Sequence, residues 1–72
     1  MTSVQRAVLN DILNGKDIAE ACRQYCEAND IIVDTFTWDY FIIELWKELP
    51  EIIKNNYKNR DDFDLYASSL LI

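Results

Sequence analysis

A chain with one glycine, Gly15, and one proline, Pro50, among seventy-two residues has little from which to build the tight turns of a β-fold. Apolar residues instead recur at helical spacing along most of its length. The expected fold is therefore all-α: a compact four- to five-helix domain spanning residues 1–72. Half of the residues are hydrophobic, enough for a core and too many for a disordered chain. A domain of this size buries only roughly 60% of its unfolded surface. It needs a dense helical core or an oligomer to hold it.

Ser3 can cap a first helix that runs through Asn14, with Val4, Ala7, Val8 and Ile12 on its apolar side and Leu9 and Leu13 beside them. Gly15 follows where a C′ glycine belongs. Asp17 caps the second helix, with Glu20 three residues on. Ile18, Ala21, Cys22, Tyr25 and Cys26 then fall at i, i+3, i+4, i+7 and i+8. Ala28, Asn29 and Asp30 end it, and Ile31–Val33 reads as a short buried turn. Pro50 stops the third helix, because the residue before a proline avoids the α region. It suits the first position of a fourth helix, with Ile52, Ile53 and Tyr57 inward and Lys54 and Lys58 outward. Asp61 or Asp62 can start a fifth helix with the stripe Phe63, Tyr66, Ala67, Leu70 and Leu71. One continuous helix over 50–71 is the alternative.

The third helix, capped by Asp34 or Thr35, holds both tryptophans of the chain. At 100° per residue, Trp38, Ile42, Leu45, Trp46 and Leu49 form one broad face. Thr37, Glu44, Lys47, Glu48 and Glu51 lie opposite, and Phe36, Tyr40, Phe41 and Ile43 occupy the shoulders. This helix is expected at the centre of the fold.

Charge is the strongest global feature: thirteen acids against seven bases, a net charge of −6. Such a surface repels phosphate backbones and anionic lipid and suits a basic protein partner. No stretch approaches the roughly 18 apolar residues of a membrane span. The start MTSVQRAVLND has no charged region followed by an apolar run, so a cytoplasmic protein is expected. Cys22 and Cys26 then read as reduced thiols in the core. With no histidine in the chain, a zinc site would need carboxylates or a second chain, and no metal or cofactor is expected. DDFD at 61–64 lacks the residue order of a calcium loop. There is no Gly-rich phosphate loop and no G-x-S-x-G, so the chain is not expected to be an enzyme.

One resemblance runs through about residues 4–60. Gly15, Glu20-Ala21-Cys22, Asp34-Thr35-Phe36, Trp46, Pro50-Glu51 and Tyr57 follow the order of a glycine, an "eAC" helix, a turn, "S-T-F", a tryptophan, "P-E-F" and a tyrosine. That order resembles the helix-turn-helix N-terminal domain of phage terminase small subunits. The resemblance implies a helix-turn-helix-like fold, a phage or mobile-element origin, and hence the host-cell cytoplasm. It also implies a third helix that enters the DNA major groove. Here the turn is longer and the third helix is extended by about two turns. Residues 30–51 hold six acids, Asp30, Asp34, Asp39, Glu44, Glu48 and Glu51, against Lys47 alone. Acids gain nothing from the phosphate contacts that dominate DNA affinity.

Three functional expectations follow. The first is a non-catalytic acidic binding protein that modulates or inhibits a protein with a basic surface, such as a nucleic-acid-handling enzyme. Its contact residues would be Asp34, Phe36, Asp39, Tyr40, Phe41, Glu44, Glu48 and Glu51, since aromatics concentrate binding energy at interfaces. The second is a helix-turn-helix DNA-binding protein acting in packaging or transcription, touching phosphate through Lys47, Lys54, Lys58 and Arg60. The third is a homodimer with the aromatic helix as its seam.

Overall fold

Five helices and no strand make up the computed structural model, which describes residues 1–72: α1 (Ser3–Leu13), α2 (Ile18–Asn29), α3 (Phe36–Glu48), α4 (Glu51–Lys54) and α5 (Arg60–Ala67). Local hydrogen bonding sets each boundary. Thr2, not Ser3, caps α1. Its Oγ1 accepts from the Gln5 N–H at 3.1 Å, and Gln5 Oε1 accepts from the Thr2 N–H at 3.0 Å. Only Thr2 has a glutamine three residues on, so only Thr2 closes this reciprocal box. At the other end Gly15 has φ +102°. There the Lys16 N–H reaches Asp11 O and the Gly15 N–H reaches Ile12 O, both at 3.0 Å. These are the two bonds of a Schellman stop.

Asp17 caps α2 by accepting from the Glu20 N–H at 3.1 Å. Asp30 closes α2 in the left-handed region at φ 53°. Thr35 rather than Asp34 caps α3, accepting from the Trp38 N–H while its hydroxyl donates to Ile32 O at 2.7 Å. Asp34 sits before it at φ 71°. Pro50 is extended and stands one residue outside α4 instead of at its first position. The fourth and fifth helices are separate, because Asn59 breaks the run as a new cap. Its Oδ1 accepts from the Asp62 N–H at 2.9 Å, and Asp62 returns the favour to the Lys58 N–H at 3.2 Å. α5 therefore starts at Arg60, ahead of Asp61 and Asp62. Asn59→Ala removes this cap and is expected to cost about 1 kcal/mol, read as a lower urea midpoint with an unchanged m-value.

Fifteen buried residues from α1, α2, α3, α5 and the α3–α4 junction form one core. Trp38, Phe41, Ile42, Leu45 and Leu49 supply the α3 share, and Phe63 and Ala67 the α5 share. Aromatic rings tie it together: Tyr25 to Phe41 at 4.5 Å, Trp46 to Phe63 at 5.2 Å and Tyr57 to Phe63 at 5.3 Å between centroids. α3 supplies the largest buried side chains, but α2, packed against both α1 and α5, is the more central helix, because its stripe from Ile18 to Cys26 is covered on both sides.

Several faces differ from expectation. In α1 the inward stripe is Gln5, Val8, Leu9 and Ile12, while Val4, Ala7 and Leu13 are exposed. Gln5 fits because its Nε2 donates to the Tyr25 hydroxyl at 3.1 Å. Ile52 faces solvent, since one turn of α4 can turn only Ile53 inward. Ile32 is also exposed, so the 31–33 connection is only partly covered. α5 ends at Ala67, which leaves Leu70 off the stripe, and Tyr66 is partly exposed.

Candidate functional site

α3 has apolar residues on two sides. Its inner side fills the core. On its outer side Phe36 is 81% exposed and Tyr40 67% exposed. They stand four residues apart and so one above the other on the same face. Ile43, half-buried, continues that line by one more turn. Phe41 does not belong to it. It is 1% exposed and packs between Tyr25 and Trp38, so it is a core residue and not a contact anchor. The 100° step from Tyr40 carries it to the α2 side of the helix.

Of the acids expected at this surface, four belong to α3 or its approach and Glu51 begins α4. Asp34, Asp39, Glu48 and Glu51 are exposed, and Glu44 is half-exposed. Only Glu44 has a cation nearby, Lys47 Nζ at 3.8 Å. The other ion pairs of the molecule, Arg23 with Glu20 and with Glu27, lie on α2. The outer side of α3 is therefore an aromatic stripe with exposed carboxylates near it, of which Glu44 alone is paired, with Lys47.

The four bases expected to track phosphate are scattered in environment. Lys47 is beside Glu44. Lys54 is half-buried, with Nζ 5.6 Å from the centre of the Trp46 ring, a cation–π position. Lys58 and Arg60 are exposed and form no ion pair, yet they flank the acidic start of α5 with Asp61 and Asp62. Any phosphate approaching them meets those carboxylates as well.

Cys22 and Cys26 are free, buried thiols on the inner side of α2. Burial pushes the Cys22 thiol up to about 12 and the Cys26 thiol up to about 11. Neutral thiols of this kind neither attack substrates nor bind metal. No three acids or cysteines converge closely enough to hold a metal ion. No helix is long and apolar enough to cross a membrane. Sequence patterning places Asp64 only in the acidic DDFD run and does not single out its bond to Trp38, whose Nε1–H donates to Asp64 Oδ1 at 2.9 Å, nor Leu65, exposed beside it on α5. The signal for Leu65 was an apolar residue off the helix stripe.

Comparison with family models, with curated proteins and with solved structures finds no match for this chain.

Proposed function

We propose that this chain is a non-catalytic binding protein that docks a basic protein surface against the outer side of α3. The observation that carries this reading is the pair Phe36 and Tyr40. Two large aromatics exposed one turn apart on a well-formed helix cost solvation and give nothing to the core. At an interface such residues supply most of the binding energy. The carboxylates of Asp34, Asp39, Glu44, Glu48 and Glu51 near them would steer and orient a cationic partner. Blocking the nucleic-acid groove of an enzyme is one use of such a face, since that groove is basic.

The test is affinity capture from a bacterial lysate, with and without nuclease, using the wild-type chain and two variants. Phe36→Ser with Tyr40→Ser removes the anchors. Glu44→Lys with Glu48→Lys reverses the flanking charge. A basic protein that survives nuclease and is held at least about tenfold more weakly by both variants supports the proposal. Recovery that vanishes with nuclease, and that strengthens in the charge-reversal variant, would replace it with the DNA-binding role of the terminase-like resemblance. A melting temperature that rises with protein concentration, and falls in the Phe36/Tyr40 variant, would replace it with a homodimer.

A further inference from the structure

Three neighbouring depressions that share lining residues run from the α2–α3 connection to the cleft between α3 and α5, and together they outline a trough. The first is an open depression of about 430 Å³ at the α2–α3 connection, lined by Ile32, Val33 and Ile72 among others. That is within the size range of sites that hold a ligand or several side chains. The second shares Val33, Asp34 and Ile72 with the first and adds Asp61, Asp64 and Leu65. The third shares Asp61 and Asp64 with the second and runs on to Asp39, Ile43 and Arg60. The trough is thus apolar at one end and acidic through its middle. Ile32, Leu65 and Ile72 are 71%, 68% and 88% exposed there. Asp34, Asp39, Asp61 and Asp64 line the trough, Arg60 lines its far end, and none of the five forms an ion pair.

We infer that this trough takes an amphipathic basic segment of another protein, with aliphatic side chains seated on Ile32, Leu65 and Ile72 and lysines or arginines laid over Asp34, Asp61 and Asp64. Charge complementarity selects the occupant. The carboxylates do not converge as metal ligands do, so one bound cation cannot satisfy them, whereas a row of cationic side chains can. Nucleic acid and anionic lipid carry the wrong sign. The apolar end adds the aliphatic anchors that a helix-in-groove mode of recognition uses. The inference rests on the reading of the chain as a binding protein and shares Asp34, Asp39 and Ile43 with the outer side of α3, but it does not use Phe36 or Tyr40.

The trough contains its own reporter. Trp38 is buried, and its indole N–H is held by Asp64, so a cation arriving at Asp64 alters Trp38 emission. The Trp46→Phe variant leaves Trp38 as the sole tryptophan. The probe is a synthetic helical peptide with leucines at i, i+4 and i+7 and lysines between them. Two matched peptides carry serines for the leucines or glutamates for the lysines. The first peptide is expected to shift Trp38 emission saturably, and each control to bind at least about tenfold more weakly. Leu65→Ser and Asp34→Asn with Asp61→Asn change exposed side chains only and are expected to weaken the first peptide by a similar factor. Phe36→Ser with Tyr40→Ser is expected to leave it bound. Equal binding of the leucine and serine peptides would overturn the inference by reducing it to unspecific charge attraction. Loss in the Phe36/Tyr40 variant but not in Leu65→Ser would overturn it too, by moving the peptide to the outer side of α3. Lysate capture that fails while the peptide still binds would remove the outer-face proposal alone.

Discussion

Phe41→Ala is expected to destabilise the domain by about 3–5 kcal/mol, whereas Phe36→Ala, on the same helix, is expected to change stability by no more than about 0.5 kcal/mol. The two side chains are identical and five residues apart; only their surroundings differ. Phe41 is 1% exposed, with its ring 4.5 Å from Tyr25 and 6.1 Å from Trp38. Its removal leaves a cavity and breaks two aromatic contacts, each worth about 0.5–1.5 kcal/mol beyond buried area. Small domains have only about 5–15 kcal/mol in total, and this one belongs at the lower end. Urea unfolding followed by far-UV circular dichroism reads both variants. Partner capture should show the reverse order, with Phe36→Ala the damaging change. Equal stability losses in the two variants would refute the assignment of Phe41 to the core and Phe36 to the surface.

Alkaline pH is the second condition with a large expected effect. Cys22 and Cys26 are pushed up to about 12 and about 11 by burial, against about 8.5 for a thiol in an unfolded chain. Tyr57 is raised by burial as well, and Tyr66 is raised by the hydrogen bond it donates to Asp17. All four shifts have one sign: the folded state holds protons that the unfolded state releases. Their contribution is complete below about pH 8.5 and is lost as pH rises toward 11–12. Within that window each buried thiol adds up to about 1.4 kcal/mol of loss per pH unit. Urea midpoints should be flat from pH 7 to 8 and fall steeply by pH 10, and Cys22→Ala should flatten that slope. A shift of this size also lowers the native thiolate fraction about a thousandfold at pH 8. Iodoacetamide should therefore modify Cys22 only as fast as the chain unfolds. Labelling at the rate of a free thiol, or a midpoint unchanged at pH 10, would contradict the burial of these side chains.

The helical class and the Asp17 and Gly15 signals were legible in the sequence, because periodicity and capping chemistry are local. What was not legible depended on neighbours. Gln5 occupies an inward position of α1 that hydropathy would reserve for an apolar residue, and its amide is satisfied there by the Thr2 N–H and by the hydroxyl of Tyr25, twenty residues away. Reading it as polar rotated the expected face of α1 toward Val4 and Leu13. In α3 nearly every position is apolar or aromatic, so periodicity alone could not separate Phe41 from Phe36. The packing of Tyr25 from α2 onto the ring of Phe41 decides which of them is covered. The acids of the candidate surface were placed correctly as exposed groups, because carboxylates without partners stay in water. The trough was invisible, since it is assembled from the α2–α3 connection, α5 and the residues after it.

The seating of Phe63 and Ala67 against α2 and α3 has a consequence for synthesis. A nascent chain has translated α1 through α4 before Phe63 leaves the ribosome, yet the gap beside Cys22 and Trp46 stays open until it does. At about 5–20 residues per second, folding waits on the emergence of α5. A product truncated ahead of Arg60 would display that unfilled gap to chaperones and proteases, and premature termination would lead to degradation.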